Sequence, residues 1–323
     1  HRDSLIQKIN MYWDLTEMML MPDDEVHFHF ELTDNDNVSG PKMTISNTLI
    51  AKVPSLADLY DEMENSENNL AEEIIAELND IESLKDQIES TELKMLKSDE
   101  MNWDEKQSLK SSIDQSKKEI EKLENIAEAI ESITEQAEKH KLLSPKMLEK
   151  FKELSRLVNE IMPKDMMNNI DDLEMALENM DMDSIQDALS QLSEDMEKIE
   201  KDLDRYLEIF KRFQAEQKLD EIQNRLQNLI EQQGALDNEI DGADENPSSM
   251  DRLAQEEQRN LDEFKNIQSL VEDASEMIEE FNKSTANELS ELSESELSEN
   301  IMQNLSDIVQ SPVSYTHLRA HET

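Results

Sequence analysis

From residue 185 to residue 213 the apolar residues Ile185, Leu189, Leu192, Met196, Ile199, Leu203, Tyr206, Phe210 and Phe213 recur in alternating steps of 4 and 3. A period of 3.5 residues draws one nearly straight apolar stripe along a helix, and such a stripe is buried by laying another helix against it. The chain is therefore constrained to extended helix-on-helix packing. The phase slips after Phe213 and resumes at Leu219, Ile222, Leu226 and Leu229. Gly234, Gly242 and Asn246-Pro247 then read as a loop. Ser248 or Ser249 starts a final long helix carrying Leu261, Phe264, Ile267, Val271, Ile278 and Phe281. After Thr285 the sequence is a Ser/Glu/Leu repeat of low complexity, and residues 286–311 are expected to be frayed and partly disordered.

The stretch before this seam carries the punctuation of further helices. Ser55 is an N-cap with Asp58 three residues on, opening a helix to about Leu96 whose face holds Leu70, Ile74, Leu78, Ile81, Leu84 and Ile88. Asn102-Trp103-Asp104-Glu105 has the form of a capping box and opens a second helix with Leu109, Ile113, Ile120, Leu123, Ile126, Ile130 and Ile133. Ser144-Pro145 opens a third, because Ser caps and Pro suits the first helical position, and Pro163 ends it. A short helix with Ile170, Leu173 and Leu177 breaks near Asp181 to Asp183. Only 3 Gly and 7 Pro interrupt the 323 residues. Helices of roughly 40 residues would each run about 60 Å, and the short breaks favour antiparallel neighbours. The expected fold is mainly α, an elongated stack of long antiparallel coiled-coil helices over residues 54–285.

Residues 1–53 follow a different period. Val26, Phe28, Phe30 and Leu32 alternate with His27, His29 and Glu31, as in a half-buried strand. Asp34-Asn35-Asp36-Asn37-Val38-Ser39-Gly40-Pro41 is a turn cluster, after which Met43, Ile45 and Leu49 alternate as a second strand. Leu5 to Trp13 reads as another strand, and Leu20-Met21-Pro22-Asp23-Asp24 as the corner before Val26. Three strands close no core alone. They are read as the last strands of a truncated immunoglobulin-like sandwich, a fold that needs about 100 residues.

The chain carries 78 acidic and 31 basic residues, a net charge of −47. Phosphate binding needs clustered Lys and Arg, so the balance argues against nucleic acid and against docking on anionic lipid. It favours solubility, self-repulsion of unpaired helices, and cationic partners or divalent ions, although a solvated acidic face is the commoner meaning of such a charge. With no Cys there are no disulfides, thiolate metal sites or cysteine nucleophiles. The longest apolar cluster, Met18 to Met21, falls far short of the roughly 20 residues of a membrane span. No Gly-rich phosphate loop is present.

Three groups of residues invite a chemical reading. His27, His29 and Glu31 share one strand face and could present two imidazoles and a carboxylate to zinc; without a fourth ligand they read better as a solvent-facing row. Asp34, Asp36 and Asn37 could offer oxygens to calcium, but hairpin turns use the same residues to cap their own backbone. Met162, Met166, Met167, Met175, Met180 and Met182 could form an adaptable binding groove, although an adaptable core where short helices meet is the commoner use. No residue is assigned a catalytic, cofactor or metal role, and no cofactor is expected.

Two stretches resemble a known family. Met21-Pro22-Asp23-Asp24-Glu25-Val26 is followed by Asp34 to Lys42 and Val53-Pro54-Ser55-Leu56; further on come Asn102-Trp103-Asp104-Glu105-Lys106 and Leu203-Asp204-Arg205 to Glu216-Gln217-Lys218-Leu219. Over residues 5–285 they resemble the uncharacterised large membrane-anchored coiled-coil envelope proteins of Gram-negative bacteria. The resemblance implies upstream membrane helices, an immunoglobulin-like segment, a helical region and a periplasmic location in the cell envelope. It supplies no catalytic residues. Pro312 to Thr323 resemble the in-frame translation of a transposase adapter used in DNA library preparation, the alternative being a genuine basic, turn-rich C-terminus. With His1 in first place, the chain is expected to be a fragment of a longer frame. The functional expectation is a non-enzymatic structural or protein-interaction spacer of a membrane-anchored bacterial envelope protein. It would use protein partners or self-association through helical seams, bind no nucleic acid, and meet the membrane only through a missing upstream anchor. The alternatives are a cytoplasmic coiled-coil assembly factor and a non-catalytic part of a larger enzyme.

Overall fold

A computed structural model of the chain describes residues 8, 10–15, 18, 20, 24–34, 40–95, 101–163, 165–242 and 247–310. The fold is mainly α, with a small β segment ahead of the helices. The chain divides into two compact units, His1–Glu62 and Met63–Thr323. The boundary expected at residue 53 thus falls a little later, inside the first helix.

In the first unit, β1 (Glu25–Phe28) pairs antiparallel with β4 (Leu49–Lys52), and β2 (Glu31–Thr33) pairs antiparallel with β3 (Met43–Ile45). The two ladders are one hairpin interrupted by an offset. Between them the outgoing strand has His29 and Phe30, while the returning strand has Ser46, Asn47 and Thr48. The extra residue is accommodated as a bulge is, with the Ser46 N–H donating to the Phe30 carbonyl at 2.9 Å and the Phe30 N–H to Ser46 Oγ at 2.9 Å. The offset corrects the face expected for the second strand. Leu49 lies opposite Phe28, whereas Met43 and Ile45 lie opposite Thr33 and Glu31 on the histidine face.

The expected burial of the Val26 face is also only partly met. Val26 and Phe28 are half-buried, but Phe30 is 50% and Leu32 72% exposed. Trp13 meets Phe28 edge-on at 5.5 Å and covers only that end of the face. The described residues of the expected Leu5–Trp13 strand form no strand, and the remainder of it lies outside the described residues, as do Met21 to Asp23.

Helix α1 (Leu56–Met95) opens on a reciprocal cap, the Asp58 N–H donating to Ser55 Oγ at 3.0 Å and the Ser55 N–H to Asp58 Oδ2 at 2.9 Å. Helix α2 (Trp103–His140) starts on the Asn102/Glu105 capping box, and α3 (Pro145–Ile161) on Ser144 with Pro145 in its first turn. Helix α4 (Met166–Asn179) continues the direction of α3 after the break at Pro163. Helix α5 (Met182–Gly242) is 61 residues long, roughly 90 Å.

In the second unit these helices pack antiparallel in sequence. Lys152 reaches Glu138 at 3.0 Å and Lys117 reaches Glu174 at 2.7 Å, so α3 and α4 together run back along α2. Phe151 stacks on Phe213 at 4.8 Å and Asn169 donates to Asp195 at 2.6 Å, so α5 runs back along both. Lys218 pairs with Glu64 at 2.5 Å, and Lys85 pairs with Glu200, which sets α1 antiparallel to α5. The result is a four-layer helical bundle whose third layer is broken. Its core holds the whole stripe from Ile185 to Phe213, every member buried.

The remainder of α5 leaves this bundle and joins a second. Helix α6 (Pro247–Glu279) returns along it, with Arg225 bound to Glu263 and Gln233 to Asn260. Helices α7 (Lys283–Ser293) and α8 (Glu296–Gln310) then fold back along α6. Ile222, Leu229, Leu261, Phe264, Ile267, Val271 and Leu305 form their shared core. Two expectations are corrected here. The loop expected from Gly234 is helical as far as Gly242, because Leu229 and Leu236 keep a seven-residue step buried across Gly234 and outweigh its weak helix propensity. The segment after Thr285, expected to fray, is helical through Gln310, because Leu289, Ile301, Met302 and Leu305 give it an apolar face packed on α6. Residues 312–323 lie outside the described residues.

Three substitutions test this packing. Leu203 is fully buried, so Leu203→Asp should lose about 2–5 kcal/mol of side-chain burial, with charge burial adding to it. Glu197→Gln, at an exposed position paired with Lys201, should leave the melt unchanged. Equal thermal melts by circular dichroism for Leu203→Asp and wild type would contradict the bundle. The Tyr206 hydroxyl is buried with no hydrogen-bond partner among the described residues. Tyr206→Phe should therefore raise stability by about 1 kcal/mol in chemical denaturation.

Candidate functional site

Neither the histidine row nor the methionine group singled out by sequence is assembled into a site among the described residues. His27 and His29 are exposed and pair separately, His27 Nε2 with Glu25 at 2.9 Å and His29 Nε2 with Glu31 at 3.1 Å. Asp34 caps the hairpin, accepting from the Lys42 N–H at 2.8 Å; Asp36 and Asn37 lie outside the described residues. Of the methionines, Met166 is buried in the core, Met162 and Met182 are half-buried, and Met167, Met175 and Met180 are exposed on α4 and just after it. The stretch is divided between core and surface instead of lining one groove.

What the helices do bring together is charge inside their seams. From Glu67 onward the buried positions on α1 are Glu67, Leu70, Ile74, Glu77, Ile81, Leu84, Ile88, Thr91 and Met95, again in steps of 3 and 4. The face expected to hold Leu78 is therefore rotated slightly: Leu78 is half-buried, and Glu77 occupies the seam. The signal was present in the spacing, and only the residue type concealed it.

The largest of these polar groups lies where α5 passes from one bundle to the other. Lys218, 6% exposed, reaches Glu64 on α1 at 2.5 Å and Glu221 at 3.6 Å. Arg225 binds Glu221 at 3.0 Å and forks onto both oxygens of Glu263 on α6 at 2.7 and 2.9 Å. A forked guanidinium–carboxylate pair is geometrically demanding and fixes the register of α5 against α6. Beside this chain, burial pushes the Glu67 carboxyl up to about 8, with a hydrogen bond from Gln217 working against the shift. Burial likewise pushes Glu221 up, opposed by Lys218 and Arg225.

A second group joins α1 to α2. Glu77, 2% exposed, and Glu119, 4% exposed, meet Asp80 so that one oxygen of each lies within 4.8 Å of the others. The Lys122 ammonium serves all three, at 2.6 Å from Asp80, 2.5 Å from Glu119 and 3.4 Å from Glu77. Burial, and then the neighbouring Glu119, raise the Glu77 carboxyl well above the usual carboxylate range. A third group, Gln233 donating to Glu257 at 3.2 Å and accepting from Asn260 at 2.8 Å, crosses α5 and α6. Burial raises Glu257 too.

An open polar groove of about 850 Å³ lies at the break between α3 and α4, bordered by Met162, Pro163, Asn169, Gln191, Asp195 and Lys198. Among the described residues, no helix is long and apolar enough to cross a membrane. Comparison of the chain with protein-family models, curated proteins and solved structures finds no match.

Buried Glu67 sets a pH dependence. Its folded-state pKa lies above the ordinary value of 4.5, so the folded protein holds a proton that the unfolded chain releases. The associated stability is present below about pH 4.5 and is lost as pH rises towards about 8, with a limiting slope of order 1 kcal/mol per pH unit. Wild type should be more stable to urea at pH 5.5 than at pH 7.5, and Glu67→Gln should reduce that difference. An unchanged difference would show that Glu67 does not titrate in the seam. Relief of general acidic repulsion has the same sign in both proteins and cancels in the comparison.

Proposed function

We propose that the chain is a non-enzymatic structural spacer that holds a protein-interaction surface at a fixed distance, within a membrane-anchored bacterial envelope protein. The observation that carries this reading is the continuity of α5. One helix of 61 residues is shared by two bundles, and an ion network in which Lys218, Glu221 and Arg225 are buried and reach the more exposed Glu64 and Glu263 clamps it where it changes partners. A shared helix without a joint resists bending between the bundles, which is what a spacer requires. The buried carboxylates Glu67, Glu77, Glu221 and Glu257 lie on helix–helix seams. The net charge of −47 keeps such a rod soluble and favours partners that present cations.

The envelope location and the membrane anchor rest on the resemblance of the Asp34–Lys42 turn, the Val53–Leu56 junction and the Asn102–Lys106 cap to that family. The β1–β4 hairpin, with apolar residues on both faces, suits the immunoglobulin-like segment that the same resemblance implies.

The chain contains no Cys, so labels can be placed cleanly. Spin labels at Asp187→Cys and Gln227→Cys, both exposed on α5, should give a single narrow distance distribution near about 60 Å, the span of the intervening residues at 1.5 Å each. A broad or markedly shorter distribution would mean that α5 is jointed and that the spacer reading fails.

A further inference from the structure

The cluster of Glu77, Asp80, Glu119 and Lys122 joins α1 to α2 and shares no residue with the clamp on α5. Its composition is unbalanced. Three carboxylates converge on one ammonium, and two of the three are almost wholly buried. Lys122 satisfies Asp80 and Glu119 at hydrogen-bond distance but stands 3.4 Å from Glu77. Neither oxygen of Glu77 makes a hydrogen bond among the described residues, although both are shut off from solvent. A buried carboxylate without a hydrogen bond is costly, and the cost is relieved by protonation or by a stronger cation.

We propose that Glu77, Asp80 and Glu119 form a binding site for a hard divalent cation, calcium in particular, which takes the place of the Lys122 ammonium. The ligand set is oxygen only, as hard cations prefer. It comes from two helices: Glu77 and Asp80 lie one turn apart on α1, and Glu119 faces them from α2. Three carboxylates on separate side chains impose no octahedral frame, which suits the irregular coordination of calcium better than that of magnesium. Water fills the remaining positions, entering on the side where Asp80 is 51% exposed.

Lys122 is placed to leave. Its side chain is 44% exposed, and a four-carbon stem lets the ammonium swing into solvent while the ion enters. The exchange replaces one positive charge with two among three carboxylates, and brings a cation closer to Glu77 than the 3.4 Å at which the ammonium stands. Lys122 is thus a built-in competitor that sets a threshold on ion concentration. Removing it should tighten binding, whereas removing a ligand should abolish it.

Calorimetric titration of the full chain with calcium chloride in about 0.15 M KCl, which screens the exposed acidic surface, tests this. Wild type should show one site that raises the melting temperature. Glu119→Gln should lose that site, and Glu73→Gln, at an exposed α1 position outside the cluster, should keep it. Lys122→Gln should bind at least tenfold more tightly than wild type. Weak calcium uptake that is the same in wild type, Glu119→Gln and Glu73→Gln would be general attraction to the acidic surface and would overturn the site. Failure of Lys122→Gln to tighten binding would overturn the exchange. Because the spin-label distance on α5 involves none of these residues, failure here leaves the spacer reading standing, and the reverse also holds.

Discussion

The structure depends on burying long apolar stripes between helices that otherwise repel one another. With 78 acidic and 31 basic residues, exposed helix faces carry like charge wherever they approach. Coulomb repulsion between exposed groups is weakened by water and salt, whereas burial of a Leu or Ile is not, so the seams prevail. The bundle therefore exists only where the 3-and-4 spacing is maintained. The spacing is maintained on α1 from Glu67 to Met95 and on α5 from Ile185 to Phe213. Scarce cations are placed where helices meet: Lys85 with Glu200, Lys117 with Glu174, Lys122 with Asp80, and Lys150 with Glu216 all cross between helices. Exposed pairs of this kind add little energy, but they remove local repulsion and select antiparallel alignment.

Polar residues inside the seams act differently. Apolar stripes of even spacing permit neighbouring helices to slide by a heptad with little change in buried area. A buried cation that must meet a particular carboxylate does not. The fork of Arg225 on Glu263 fixes α5 against α6, and the contact of Lys218 with Glu64 fixes α5 against α1. Both lie just past Phe213, where the apolar phase slips. The slip rotates the stripe on α5, so that the helix can serve one bundle before it and another after it. The ion network occupies the turns in which neither stripe is fully engaged.

Most of the helical architecture was legible because its determinants are local. Ser55, Asn102 and Ser144-Pro145 mark helix starts through side chains that bond to their own first turns, and all three stand where the sequence places them. The core of α5 was legible because every seam position up to Phe213 is apolar. The reading failed where tertiary packing overrode a local signal. Gly234 looks like a break, but Leu236 is buried on the far side and carries the helix across it. The Ser/Glu/Leu-rich end looks frayed, but its few apolar residues fall on one face and dock on α6. In the hairpin, a single extra residue at Ser46–Thr48 exchanges the faces of β3, which alternation alone cannot reveal.

The polar sites were missed for a more specific reason. A search by residue type finds His27, His29 and Asp34 because imidazoles and turn carboxylates are familiar ligands, yet these side chains are exposed and answered by their immediate neighbours. Glu67, Glu77 and Glu119 pass unnoticed among dozens of acidic residues on helices. What distinguishes them is register. Glu67 and Glu77 fall on the same 3-and-4 lattice as Leu70, Ile74 and Ile81, so the lattice already places them between helices, and Glu119 adjoins seam residue Ile120. In a chain this acidic, a carboxylate becomes informative through the phase it occupies. One in the seam must be protonated, paired or metal-bound, whereas for one outside the seam water suffices.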